Sequence, residues 1–101
     1  MWGTTMNERK LYAVDFDGTL TMGDNKWWEE GNNPIPNKKN IDKVNKLYIQ
    51  GNYIIIFSAR PWEVARKTVA WLIANGVRFH GINFNKMAAY KYIDDRMEAW
   101  K

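Results

Sequence analysis

Two short runs, "KLYAVDF" (10–16) and "NYIIIFS" (52–58), are β-branched or aromatic at most positions and lack the polar alternation of a strand with one wet face. That pattern predicts central strands of a parallel sheet, buried on both faces. Between them Ile41, Val44, Leu47 and Tyr48 recur at helical spacing, and Gly51 stands where a left-handed C-terminal cap would fall. The segment reads as an amphipathic helix. After the second run, Pro61 suits a first helical turn, Val64, Thr68, Val69, Leu72 and Ile73 share a face, and Asn75-Gly76 stops the pattern. A second helix is expected there, with Trp71 as a core residue. "VRFHGINF" (77–84) reads as a more exposed strand and "YKYIDD" (90–95) as a short one ending in acids.

The order β-α-β-α-β-β with right-handed crossovers predicts an open, mostly parallel α/β sheet. At 101 residues the chain is expected to form a single domain over 1–101 without a linker. "GNNPIPNKKN" (31–40), with two prolines and four asparagines, is a plain loop between the first strand and the first helix. The longest strictly apolar run, "YIIIF" (53–57), is far below the ~20 residues of a membrane span, so a soluble, cytoplasmic chain is expected. Lack of cysteine excludes a disulfide framework, a thiolate metal site and a cysteine nucleophile. A net charge of +4 favours anionic partners, phosphates in particular, although no basic block resembles a nucleic-acid tail.

In an open α/β sheet functional groups gather at the carboxyl ends of the strands. Asp15 and Asp17 in "YAVDFDGTLT", Ser58, and Asp94 with Asp95 all fall at such ends. Asp15 and Asp17 would share a face if the strand stayed extended, and Gly18 lets the backbone turn just beyond. Like charges this close need a cation or a shared proton. With Asp94 they form an all-oxygen set suited to Mg²⁺. Screened by Mg²⁺, Ser58, Lys86 and backbone N–H groups, Asp15 can attack a phosphate ester and form an acyl-phosphate that water hydrolyses. Asp17 can donate a proton to the leaving oxygen and later take one from the water. His80, without ligand partners by spacing, reads as structural.

"DFDGTLT" resembles the first motif, DxDx[TV], of the haloacid dehalogenase superfamily, and "IIIFSAR" resembles its second motif, a strand ending in Ser or Thr. Lys86 in "NKMAAYKYIDD" matches the third-motif lysine of short members, and "YIDDR" resembles the acidic fourth motif. The resemblance spans residues 11–96. It implies a three-layer Rossmann-like core of strand order 3-2-1-4, in the small capless phosphatase branch. Asp15 would be nucleophile and metal ligand. Asp17 would be the general acid/base, binding the metal through its carbonyl, with Asp94 a further ligand and Asp95 binding through water or orienting Lys86. Ser58 and Lys86 would hold the phosphoryl group, together with backbone N–H groups of Gly18 and Thr19. Ala59 and Arg60 adjoin the same site, and Arg60 would either bind phosphate at the helix N-terminus or lie on the surface.

No large cap domain is expected, only a short flap at 20–36 whose Trp27 and Trp28 either pack against a neighbouring subunit or stack on a ring. The chain stops six residues after Asp95, where most members continue, so an uncovered edge would invite pairing with a second copy. The connection 85–89 spans roughly 17 Å at most, so the last strand must be short. The expected substrate is a sugar phosphate, a nucleotide or a phosphorylated nucleic-acid end, with no membrane partner. Two other classes fit less of the pattern: a receiver-type signalling domain phosphorylated on Asp, and a nonenzymatic module on the same scaffold.

Overall fold

The computed structural model describes residues 9–23, 26, 28, 29 and 31–85. It shows a small α/β domain built on a parallel sheet of three strands, β1 (Leu11–Asp15), β4 (Tyr53–Phe57) and β5 (Gly81–Asn83), in the order β1-β4-β5. A second, antiparallel pair joins β2 (Thr21–Met22) to β3 (Ile35–Pro36), and the helices are α1 (Lys38–Ile49) and α2 (Ala65–Ala74). Counting only the parallel strands, this is the 3-2-1 part of the expected order. The expected fourth strand at 90–95 lies outside the described residues, as do Lys86, Asp94 and Asp95.

The expectation of two buried faces is corrected by the alternation along β4. Ile54 and Ile56 are completely buried, whereas Tyr53 is 39% exposed and Ile55 and Phe57 are half-buried. Both connections run in the same direction across the sheet, and right-handed crossovers then place α1 and α2 on one face. Ile41 and Val44 of α1 and Trp71 and Leu72 of α2 accordingly meet Ile54 and Ile56 in a single core with Phe16, Leu20 and Val77. On the opposite face the register sets Leu11 beside Tyr53 and Ala13 beside Ile55, with nothing among the described residues to bury them fully. A uniformly apolar strand does not reveal which of its faces a helix will cover.

Both helices end as the sequence predicts, by a double closure of the last turn. At α2 the Gly76 N–H donates to Ile73 O (3.1 Å) and the Val77 N–H to Leu72 O (3.0 Å), with Gly76 at φ 70°, a conformation a Cβ would strain. The same pattern closes α1, from Gly51 to Tyr48 (3.0 Å) and from Asn52 to Leu47 (3.2 Å). At its other end, α2 follows a tight 3-10 turn at Trp62–Val64 capped by Pro61, so Pro61 stands just before the helical turn. The buried face of α2 is Thr68, Trp71 and Leu72, and Ile73, expected on that face, points outward at 68% exposure. Ile73 is one residue, about 100°, around from Leu72.

Strand β5 is shorter than the expected 77–84 because the chain before it is tied elsewhere. The Arg78 N–H donates to Asn45 Oδ1 on α1 (2.8 Å), and at His80 one of the two bonds to β4 runs through the side chain: its N–H donates to Ile54 O (2.8 Å), while the Ile54 N–H donates to its Nδ1 (3.0 Å). His80 also stacks on Tyr48 at 4.5 Å.

Candidate functional site

The register aligns Asp15 with Phe57, and the Phe16 N–H donates to Phe57 O (3.0 Å), carrying the β1–β4 ladder to the carboxyl edge. Phe16 is buried in the core, and its carbonyl accepts both the Thr19 N–H (3.3 Å) and the Leu20 N–H (3.0 Å). The chain therefore leaves the strand at Asp17. Gly18, at φ 84°, makes the turn. Asp15 stays exposed at the end of β1, while the Asp17 carboxylate is directed onto Arg60.

Arg60 is the best-held side chain of the site. It is 2% exposed. Its Nε donates to Asp17 Oδ2 (3.0 Å) and Oδ1 (3.3 Å), and its Nη2 donates to Oδ1 at 2.8 Å. Nη1 reaches Thr68 Oγ1 on α2 at 3.4 Å, and the guanidinium carbon lies 4.8 Å from the centre of the Phe16 ring. Its backbone is fixed as well, since its N–H donates to Ser58 Oγ (3.1 Å) and its carbonyl accepts the Asn85 N–H (2.9 Å). Arg60, expected on a substrate phosphate or on the surface, is thus turned inward.

Ser58 follows β4 directly and is 1% exposed, its N–H donating to Asn83 O (2.9 Å) while its hydroxyl accepts the Arg60 N–H. Ala59 beside it is exposed. The two amides expected on the phosphoryl group are engaged within the turn: Gly18 N–H donates to Thr21 Oγ1 (3.0 Å) and Thr19 N–H to Phe16 O. Either can serve a ligand only by exchanging that bond. Thr21→Val, of nearly the same shape, is expected to cost about 1–2 kcal/mol by removing the acceptor of Gly18. Urea unfolding measures it, and an unchanged midpoint would show that the bond contributes nothing.

The flap is anchored rather than loose at its base. The Asn37 N–H donates to Leu20 O (2.8 Å), Asn37 Oδ1 caps α1 through the Asn40 N–H (3.2 Å), and Asn40 Nδ2 donates to Thr19 O (2.9 Å). Farther along, Trp71 Nε1 donates to Pro34 O (2.9 Å), fastening the flap to α2. Trp71 is core, as expected, Trp28 is 64% exposed, and Trp27 lies outside the described residues. Between the flap and α2, adjoining Arg60, is a cavity of about 450 Å³ whose lining includes Asn32, Asn33, Lys67, Trp71 and Asn75.

Among the described residues no group of three or more acidic, histidine or cysteine side chains could hold a metal ion. The donors present are the Asp15 carboxylate and the Asp17 carbonyl, both hard oxygens of the kind Mg²⁺ takes. The expected third ligand, Asp94, and the expected clamp, Lys86, lie outside the described residues. The sequence reading did not assign the supporting roles of Thr21, which accepts the Gly18 N–H, and Thr68, which accepts from Arg60 Nη1. A hydroxyl at position 68 on an otherwise apolar helix face was the available signal, because a buried polar group requires a partner.

No protein-family model and no curated protein matches the chain. Among solved structures it is similar to a structural-genomics target from Vibrio cholerae, at 25% identity and a TM-score of 0.60, over 86% of this chain and 80% of that one. The likeness agrees with an α/β fold. Among the described residues no helix is long and apolar enough to cross a membrane.

Proposed function

We propose that the protein is a Mg²⁺-dependent phosphomonoesterase of the haloacid dehalogenase type, working through a phospho-aspartate on Asp15. The observation that carries this reading is the meeting, at one carboxyl edge, of an exposed Asp15 with Asp17 and Ser58, which reach it from β1 and β4. A nucleophile must reach its substrate, and Asp15 is the member of this group that is exposed.

In the proposed reaction an Asp15 oxygen attacks phosphorus, the bond from phosphorus to the leaving oxygen breaks, and Asp17 gives that oxygen a proton. Water then attacks the acyl-phosphate, Asp17 takes the proton back, and inorganic phosphate leaves with Asp15 restored. Asp15, the Asp17 carbonyl and Asp94 would hold Mg²⁺, which when bound supplies charge screening between the carboxylate and the phosphoryl oxygens. Lys86 and the Ser58 hydroxyl would add to that screening. The net charge of +4 favours anionic esters generally.

Phosphate release from aryl phosphate, sugar phosphates, nucleotides and a 3′-phosphorylated oligonucleotide tests this, each with Mg²⁺ and with EDTA. Turnover on at least one ester, abolished by EDTA, is expected. A folded protein that releases phosphate from none of them would overturn the reading, and a long-lived phospho-aspartate would point instead to a receiver domain.

A further inference from the structure

The fork between Arg60 and Asp17 is unequal, and that inequality has chemical content. Asp17 Oδ1 accepts from both Nε (3.3 Å) and Nη2 (2.8 Å), whereas Oδ2 accepts from Nε alone (3.0 Å). A carboxylate oxygen offers two acceptor directions, so Oδ1 is saturated and Oδ2 keeps one direction open. Arg60 itself has little freedom to follow a moving partner. It is held by Phe16 beneath its guanidinium, by Thr68 at Nη1, by Ser58 at its N–H and by Asn85 at its carbonyl.

We infer that Arg60 is a positioning residue: it presets the Asp17 carboxyl so that Oδ2, and not Oδ1, exchanges the proton with the leaving oxygen, and it does not bind the substrate phosphate. This rests on the proposed phosphatase reaction. A phosphate ligand must have donors to offer the phosphoryl oxygens, and Arg60 has Nε and Nη2 closed on the Asp17 carboxylate and Nη1 turned to Thr68. Guanidinium suits the task because its planar donors fix both the distance and the plane of a carboxylate, which the single point charge of lysine cannot do.

Leaving-group dependence provides the test, because a poor alkoxide leaving group needs the proton and an activated aryl oxide does not. kcat/KM is measured on an alkyl phosphate and on p-nitrophenyl phosphate for wild type, Arg60→Lys, Asp17→Asn and the double variant, with circular dichroism to confirm folding. Arg60→Lys is expected to lose roughly 10²-fold on the alkyl ester and less than about fivefold on the aryl ester. Adding Arg60→Lys to Asp17→Asn is expected to cost nothing further on the alkyl ester, since one acts through the other.

Equal losses on both esters, or additive losses in the double variant, would overturn positioning while leaving the phosphatase reading intact. A rise in KM with unchanged kcat on both esters would return Arg60 to phosphate binding. The alkyl ester used is whichever alkyl ester of the panel above the wild type turns over, and wild-type protein inert on the whole panel would instead remove the phosphatase reading, and the positioning role with it. Should Arg60→Lys fail to fold, Arg60→Gln, neutral and donating from one amide nitrogen in place of a guanidinium fork, carries the same comparison.

Discussion

Asp15→Asn is expected to lower Mg²⁺-dependent phosphate release by at least about 10³-fold, the size of loss seen when a covalent nucleophile is removed from a site that otherwise still binds substrate. Asparagine keeps the shape of the side chain but its amide is a poor nucleophile and a weaker partner for a hard cation. Asp15 is exposed at the end of β1, where its side chain is not part of the core, so the variant should unfold at nearly the wild-type urea concentration. Chemistry and stability are thereby separated in one substitution. A variant retaining even a tenth of wild-type turnover would assign the nucleophile elsewhere.

Asp17→Ala is expected to have the opposite balance, a large loss of stability whatever it does to turnover. Removing the carboxylate leaves the Arg60 guanidinium, 2% exposed, with Thr68 and the Phe16 ring but no counter-charge. Breaking a buried pair from one side costs about 3–5 kcal/mol, and because the Asp17 side chain is 23% exposed the lower end, about 3 kcal/mol, is expected. For a domain of this size that lowers the thermal midpoint by on the order of 10–20 °C. Asp17→Asn, which keeps one acceptor for the fork, should lose less than half as much. An Asp17→Ala protein with an unchanged midpoint would mean that water replaces the carboxylate readily, and that Arg60 is held by its other partners.

Together the two variants address the crowding of acids in "YAVDFDGTLT". The sequence calls for a cation beside the two acids, and for Asp17 the fold provides one from within the chain, the guanidinium of Arg60. Asp15 lies exposed at the carboxyl end of β1. The second acid of the motif is therefore tied to the stability of the domain as well as to its proposed chemistry.

Most elements were legible because their causes are local. The spacing of Ile41, Val44 and Leu47, the Gly-terminated ends at Gly51 and Gly76, and the apolar runs that became β1 and β4 all act within a few residues of themselves. Errors arose where a distant partner outvoted the local pattern. Residues 77–80 look like strand but bond to Asn45 and use His80 as a side-chain acceptor, and Ile73 fits the helical stripe yet lies beyond the face that the sheet covers.

The sequence by itself determined the α/β order, both helices, the turn after the first strand and the placing of Asp15, Asp17 and Ser58 at strand ends. Only the tertiary structure decided which face of the sheet is buried and that Arg60 points inward. The reason is separation: Arg60 meets an acid 43 residues away, and no spacing rule spans that distance. The hydrophobic collapse of Phe16 and Trp71 onto one core brings their elements together, and once Arg60 is buried there its charge requires a carboxylate within reach.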